Sequence, residues 1–401
     1  MQRSPDPTGP AGTGPSGGTA DVVVVGAGVI GLAVSWRLAA SGIHVAVVDP
    51  EPGRGSSWAA AGMLAPVTEV HYGEEALLGL NLASAARWPA FAAELEAAAG
   101  RGVGYRRSGT LLVAAEDGDR ALAADLHTFM AGLGLEAEQL TVRRARELEP
   151  ALSPAIAGAL WAPGDHQVDN RLLLDALELA ARGAGVRLRR ASVTSVVTGG
   201  ERVEGVALDD GGRIDAGVVV VAAGVGTGAL SGLAEGVLPP VRPVKGQILR
   251  LAAGPEVPAL SRIVRGVVHG GSVYVVPRAE GSVVVGATVE ERGFDTAVTA
   301  GAVYELLRDA HRVVPSVTEY VLTEATARLR PGSPDNAPVV GAPPGGPAGL
   351  VVATGHYRNG VLLAPVTADA VLGLVADGTL PPVVAPFAPG RFTTPARGRR
   401  A

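Results

Sequence analysis

The chain has 401 residues, of which 47% are hydrophobic, and a formal net charge of −5. Such a length holds a large core in about two or three domain-sized units, and the acidic balance excludes a global electrostatic pull toward nucleic acid or anionic lipid. There is no cysteine, which excludes disulfides, thiolate metal sites, a cysteine nucleophile and any group tethered through a cysteine sulfur; no metal centre is expected. Only 4% of residues are aromatic, 56 are Gly and 30 are Pro, and much of the rest is Ala and Val, a composition that suits tightly packed α/β layers.

Met1 to Ala20 is rich in Pro, Gly, Ser and Thr, has no apolar run of signal-peptide length, and is expected to be a disordered tail. No window approaches eighteen uninterrupted apolar residues, so no membrane span is expected, and cytoplasm is the default address. Val22 to Val25 is a continuous β-branched run, the signature of a strand buried on both faces. A helix follows from about Val29 to Ser41, ended by Gly42, and then a second buried strand over His44 to Val48. The Ala-rich stretch from Leu77 to Ala99 reads as one long helix, or as two broken near Pro89. A strand over Arg106 to Ala114 and a helix over Asp117 to Leu133 come next, and Asp169 is placed to cap a helix over Asn170 to Arg182. Short strands then alternate with turns at Val186 to Arg190, Val203 to Leu208 and Val218 to Ala222.

From Val244 to Gly286 the pattern changes to short strands punctuated by Gly, among them Gln247 to Leu251, Ser272 to Val276 and Ser282 to Val285, which predicts an antiparallel or mixed sheet. A helix near Ala300 to His311, strands over Tyr320 to Leu329 and Leu350 to Ala353, and a helix from about Gly360 to Ala376 precede a short basic tail from Pro389 to Ala401. The two patterns interleave, so two domains made of discontinuous segments are expected.

The first strand runs directly into Gly26-Ala27-Gly28-Val29-Ile30-Gly31. Gly26 permits a tight turn, Gly28 lets the backbone approach a pyrophosphate lying on the positive end of the helix, and Gly31 lets helix and strand pack closely. Asp49 ends the second strand, where a carboxylate can accept both ribose hydroxyls. Strand, glycines, helix and acid together predict a dinucleotide site, without distinguishing FAD from NAD.

The later segments carry a resemblance. Val219-Val-Val-Ala-Ala-Gly224, with Ala223 and Gly224 at its end, looks like the second cofactor-contacting strand of glutathione-reductase-type flavoproteins. Arg54-Gly-Ser56-Ser57 followed by Ala59-Ala-Ala61-Gly62-Met63 resembles the loop that passes along FAD in the D-amino-acid oxidase superfamily. Leu329-Arg330-Pro-Gly332, Gly355-His-Tyr-Arg358-Asn-Gly360, Tyr274-Val-Val-Pro-Arg278 and Val285-Gly-Ala-Thr288 resemble the glycine oxidase family of thiamin biosynthesis. The resemblance runs from about Asp21 to Asp377.

It implies an α/β (α+β) fold: a glutathione-reductase-type FAD-binding domain over residues 21–86, 165–240 and 325–388, interleaved with an antiparallel-sheet substrate domain over 87–164 and 241–324. It implies oxidation of glycine, sarcosine or a small D-amino acid to the imine, with FAD reduced and dioxygen re-oxidising it to hydrogen peroxide. The imine then gives glyoxylate or the thiazole of thiamin, which implies a hand-off to a thiazole synthase, and a homo-oligomer. With no cysteine to tether it, the FAD is expected to be non-covalent. The loop residues Ser56, Ser57, Ala61, Gly62 and Met63 are implied at the cofactor, as are Val193, Ala223, Gly224, Arg330, His356, Arg358, Asn359 and Gly360.

An amino-acid carboxylate calls for the planar fork of an arginine. The resemblance makes Arg330 that clamp, although Arg328 lies on the same strand face and competes for the role. Tyr274 is implied to bond the same carboxylate, Arg358 to be a second active-site arginine, and Met63 to line the pocket. Asn359 and Gly360 are expected to open the final helix toward the flavin. No general base stands out: His44 reads as buried in a strand and His356 as structural, and hydride transfer by orientation needs none. Ser272 and Val289 depart from the family pattern, where a histidine and a methionine stand, and bear on pocket shape. A quinone-linked D-amino-acid dehydrogenase and a flavin enzyme modifying tRNA are the alternatives, the latter disfavoured by the acidic charge.

Overall fold

The computed structural model describes residues 18–254 and 256–392. Two sheets organise them. The first has six strands in the spatial order Val339–Gly341, Leu350–Thr354, Val218–Val221, Val22–Val25, Val45–Val48 and Arg187–Arg189. All neighbours are parallel except the antiparallel pair at the 339–341 edge. The central strands are near-pure valine because both faces are covered. Val22, Val24, Val45 and Val47 face a helical layer, and Val23, Val25, Ala46 and Val48 face a small four-stranded sheet built largely from Val193–Gly199 and Arg202–Leu208. Burying each such valine contributes about 1.5–3 kcal/mol.

The helical layer consists of Val29–Ala40, Glu75–Ala99, Asn170–Gly183 and Ala364–Asp377. Asp169 caps the third of these, its carboxylate accepting from the Arg171 and Leu172 amides. The second is one continuous helix with Pro89 inside it. A domain boundary at 86/87 therefore falls within a helix whose apolar side, including Trp88, Phe91 and Leu95, packs into the first domain's core.

The second sheet has eight strands in the order Val321–Gly332, Arg242–Ala252, Val283–Gly286, Gly271–Pro277, Ile263–Val268, Thr110–Ala114, Gly158–Ala162 and Glu138–Leu140. It is antiparallel throughout except where Ile263–Val268 pairs in parallel with Thr110–Ala114. The helix Ala300–Val313 packs on one face, and the other face carries a cavity. Residues 321–332 form a single strand paired along its length with 242–252. The boundary expected at 324/325 therefore falls within a strand, beside a bulge at Arg250/Leu251 and ahead of pairing that runs on to Gly332.

Three other expectations are corrected. Gly18–Thr19 pairs with Arg213–Asp215 at the edge of the small sheet, so the end of the expected disordered tail is a short strand, while residues 1–17 lie outside the described residues. Pro389–Phe392 forms a turn of 3₁₀ helix, while the remainder of the expected basic tail lies outside the described residues. The His44 side chain is 86% exposed and faces Asp21 at 3.1 Å, because the strand starts one residue later, at Val45.

Candidate active site

Two cavities meet at the junction of the sheets. The first, about 150 Å³, is a groove over the carboxyl ends of the parallel strands. Gly26 (φ +103°) makes the turn from strand to helix, and a Cβ there would lie 2.5 Å from the Ala222 carbonyl oxygen. A Cβ on Gly31 would collide with the Gly26 carbonyl, so both glycines are required for contact between strand and helix. Asp49 accepts from the Ala27 amide at 2.7 Å and the Glu51 amide at 2.8 Å, which fixes its carboxylate at the groove wall. Gly28, Val29, Ile30, Ser56, Ser57, Ala223, Gly224, His356 and Gly360 also line it. The His356 imidazole, bonded to Thr367 Oγ1 at 3.0 Å, is pushed down to a pKa of about 3 by burial and is neutral.

The loop from Ser56 to Gly62 borders both cavities. Its carbonyls are held from below: Asn170 Nδ2 donates to Ser57 and Trp58, and the buried Arg278 donates to Ala61 at 2.8 Å while pairing with Asp169 at 3.1 Å. Ser57 Oγ in turn accepts from the Val29 amide at the helix start.

The second cavity, about 260 Å³, lies against the eight-stranded sheet. All four expected substrate residues line it: Met63, Tyr274, Arg330 and Arg358. Arg330 spends Nη1 on the Thr288 and Lys245 carbonyls at 3.0 and 3.4 Å, which leaves its Nε–Nη2 edge without a protein partner among the described residues. Its guanidinium lies across Gly246: a Cβ there would be 2.6 Å from Arg330 Cζ. Tyr274 is accommodated in the same way, since a Cβ on Gly286 would be 2.6 Å from the tyrosine Cζ. Burial pushes the Tyr274 hydroxyl up to about 12, with Arg330 opposing, so it stays protonated and able to donate. Arg358 is paired with Glu74 at 2.8 Å.

The cavity also holds residues that sequence reasoning missed: Glu69, His71 and Arg265. Arg265 pairs with Glu69 at 3.0 Å. Burial, aided by Arg358, holds His71 below its ordinary pKa. The turn bearing Glu69 is anchored by the buried Asp165, whose carboxylate accepts from the Val67 and Thr68 amides and the Thr68 hydroxyl. Burial raises the Asp165 pKa to about 6 against the pull of those bonds.

Four of the expected cofactor residues line neither cavity. Ala27 contributes its amide to Asp49, and Gly31 serves packing. Val193 heads its strand in the small outer sheet. Asn359 is buried and does not open the final helix: residues 359–363 wind through turns, and the helix begins at Ala364. The start is displaced because Tyr357 adopts a positive φ of 48° and the His356 carbonyl takes the Asn359 amide. Gly360 still lines both cavities.

Among the described residues no helix is long and apolar enough to cross a membrane, and no cluster of three or more His, Asp or Glu could hold a metal. Comparison with known proteins places the site in a family. The family model described as "FAD dependent oxidoreductase" (DAO) matches residues 21–374. The chain is 36% identical over 370 residues to glycine oxidase of Geobacillus kaustophilus, covering 92% of this chain and 96% of that protein. The crystal structure of that enzyme superposes with a TM-score of 0.84, covering 94% of this chain and all of the other. It is 32% identical over 409 residues to hydrogen cyanide synthase subunit HcnC of Pseudomonas aeruginosa, covering 93% and 96%. Against the bifunctional protein ThiO/ThiG of Synechocystis sp. it is 35% identical over 383 residues, covering 94% of this chain but only 54% of that protein, about half its length. The glycine-lined groove, the acid at its wall, the family match over residues 21–374 and the likeness to glycine oxidase lead to one conclusion: the chain belongs to the DAO family and is an FAD-dependent oxidoreductase.

Proposed function

We propose that the protein oxidises the Cα–N bond of glycine or another small amino acid, holding FAD non-covalently in the groove and the substrate in the adjoining cavity. The observation that carries this reading is the free Nε–Nη2 edge of Arg330, presented beside Tyr274 in a cavity continuous with the dinucleotide groove. A planar guanidinium edge takes a carboxylate bidentately, and the protonated Tyr274 hydroxyl adds a donor to the same group. Asp49 would take the ribose hydroxyls, and the Gly26–Gly31 turn the pyrophosphate. FAD bound there supplies a two-electron acceptor for the substrate's Cα hydride, with dioxygen as the final oxidant.

Orientation by the Arg330 clamp carries much of the catalysis. His71, held below its ordinary pKa by burial, favours the neutral form and adds no further cation beside the amine of the substrate. The likeness to a bifunctional ThiO/ThiG protein supports delivery of the oxidised product to a thiazole synthase. The likeness to HcnC supports a second reading, in which the imine gives up two further electrons to the same acceptors and its carboxylate leaves as carbon dioxide, releasing cyanide. One experiment tests both: peroxide, glyoxylate and cyanide are measured while the holoenzyme is offered glycine, sarcosine and D-alanine. Peroxide in proportion to substrate consumed is expected; none from any of the three overturns the reading.

A further inference from the structure

Four arginines line the substrate cavity: Arg265, Arg328, Arg330 and Arg358. Two are neutralised within the protein, Arg265 by Glu69 at 3.0 Å and Arg358 by Glu74 at 2.8 Å. The other two have no carboxylate partner among the described residues. Arg330 donates only to the Thr288 and Lys245 carbonyls, and Arg328 only to the Arg54 carbonyl at 3.0 Å and the Ala327 carbonyl at 2.9 Å. Carbonyl acceptors fix the orientation of a guanidinium without cancelling its charge. The cavity therefore presents two fixed, uncompensated positive charges, whereas the carboxylate of glycine offsets only one.

The pleat of the strand excludes the nucleotide groove as the destination of the second charge. Side chains alternate across a strand. Leu329 and Pro331 line the groove beside Gly26 and Asp49, while Arg328 and Arg330 line the substrate cavity. Arg328 thus faces the space that takes the substrate, two residues from the clamp and on the same face.

We infer that the cavity takes amino acids bearing a second carboxylate, with the α-carboxylate on Arg330 and the second on Arg328. The inference rests on the amine-oxidase reading above and narrows its substrate. The second carboxylate can be carried on the nitrogen or on the side chain, and matched pairs of substrates separate the two. Iminodiacetate differs from sarcosine, and D-aspartate from D-alanine, by a carboxylate in place of a hydrogen.

The test measures kcat/KM for each pair in the wild-type holoenzyme, in Arg328→Met and in Arg328→Lys, with FAD content and Tm as controls of folding. The wild type should favour the dicarboxylate of at least one pair, iminodiacetate marking the nitrogen-borne position and D-aspartate the side-chain position. Arg328→Met should lower that preference by about tenfold to a hundredfold, as loss of a charge-assisted contact does, and Arg328→Lys should keep most of it. An unchanged preference in Arg328→Met, a wild type favouring neither dicarboxylate, or loss of FAD as the only effect would overturn the inference. If no amine is oxidised, the amine-oxidase reading fails by itself, and binding decides the role of Arg328. Malonate and acetate are then titrated against the flavin absorbance of the holoenzyme. Tighter binding of malonate, erased in Arg328→Met, supports the two-carboxylate site, and equal binding of malonate and acetate overturns it.

Discussion

The guanidinium of Arg330 lies flat across the α-carbon of Gly246 on the neighbouring strand, in space that any other residue would fill with its Cβ. Glycine inside a strand weakens it, and its use there marks a close approach. Gly246→Ala should therefore displace the clamp while leaving the charge in place. Because a displacement of about 1 Å in a positioning group can cost about a hundredfold, kcat/KM for glycine is expected to fall by that order, with FAD content normal. An alanine variant of wild-type efficiency would show that the close approach has no bearing on substrate.

Arg330→Lys keeps the charge and loses the fork, so KM should rise at normal FAD content. Arg330→Ala leaves the substrate carboxylate against a partly desolvated wall and should cost at least ~3 kcal/mol in kcat/KM, about a hundredfold or more. Amines without a carboxylate should lose little in either variant. Near wild-type oxidation of glycine by Arg330→Ala would move the clamp to Arg328 or Arg358.

Asp49 holds the Ala27 amide as well as facing the groove. Asp49→Ala removes a charged acceptor, a loss of roughly 1.5–3 kcal/mol, and the Kd for FAD should rise by about tenfold to a hundredfold. Titration of the apoprotein with FAD, followed by flavin fluorescence, reads this directly. An unchanged Kd would make Asp49 a bystander.

Since the chain has no cysteine, acid precipitation of the yellow holoenzyme should leave all the FAD in the supernatant. Flavin that stays with the pellet would point to a linkage through histidine.

The buried His356 gives the folded protein an acid-sensitive element. Its folded pKa, about 3, lies below the ordinary value of 6.5 because burial disfavours the charged ring. Between those values the unfolded chain binds the proton and the folded one does not. The contribution of the neutral ring is thus complete above pH 6.5 and is lost progressively as pH falls toward about 3. The Tm of the wild type should consequently drop more steeply between pH 7 and pH 4 than that of His356→Gln; parallel curves would rule the histidine out.

What was legible in the sequence is what local backbone geometry demands. Gly26 and Gly31 announce themselves because the strand-to-helix turn admits no Cβ, and Arg330 and Tyr274 sit in motifs whose resemblance pointed to the cavity they line. Glu69 and Arg265 were invisible because nothing local connects residues almost two hundred positions apart; only the fold makes them an ion pair. The start of the final helix was misread from Gly360, although Pro365 held the better signal. Proline favours the first helical turn, and it occupies that turn here. The strand 321–332 was divided between two domains because composition does not report which ladder a strand joins.

That strand has a further consequence. Its odd-numbered Leu329 and Pro331 border the nucleotide groove and its even-numbered Arg328 and Arg330 border the substrate cavity. Point substitutions can therefore retune one specificity without touching the other, so the two can diversify independently over evolutionary time. An insertion or deletion of one residue has the opposite effect. It would turn guanidinium groups toward the nucleotide and aliphatic ones toward the substrate, losing both specificities in a single event. The segment should accordingly tolerate exchange of residues while resisting any change in its length.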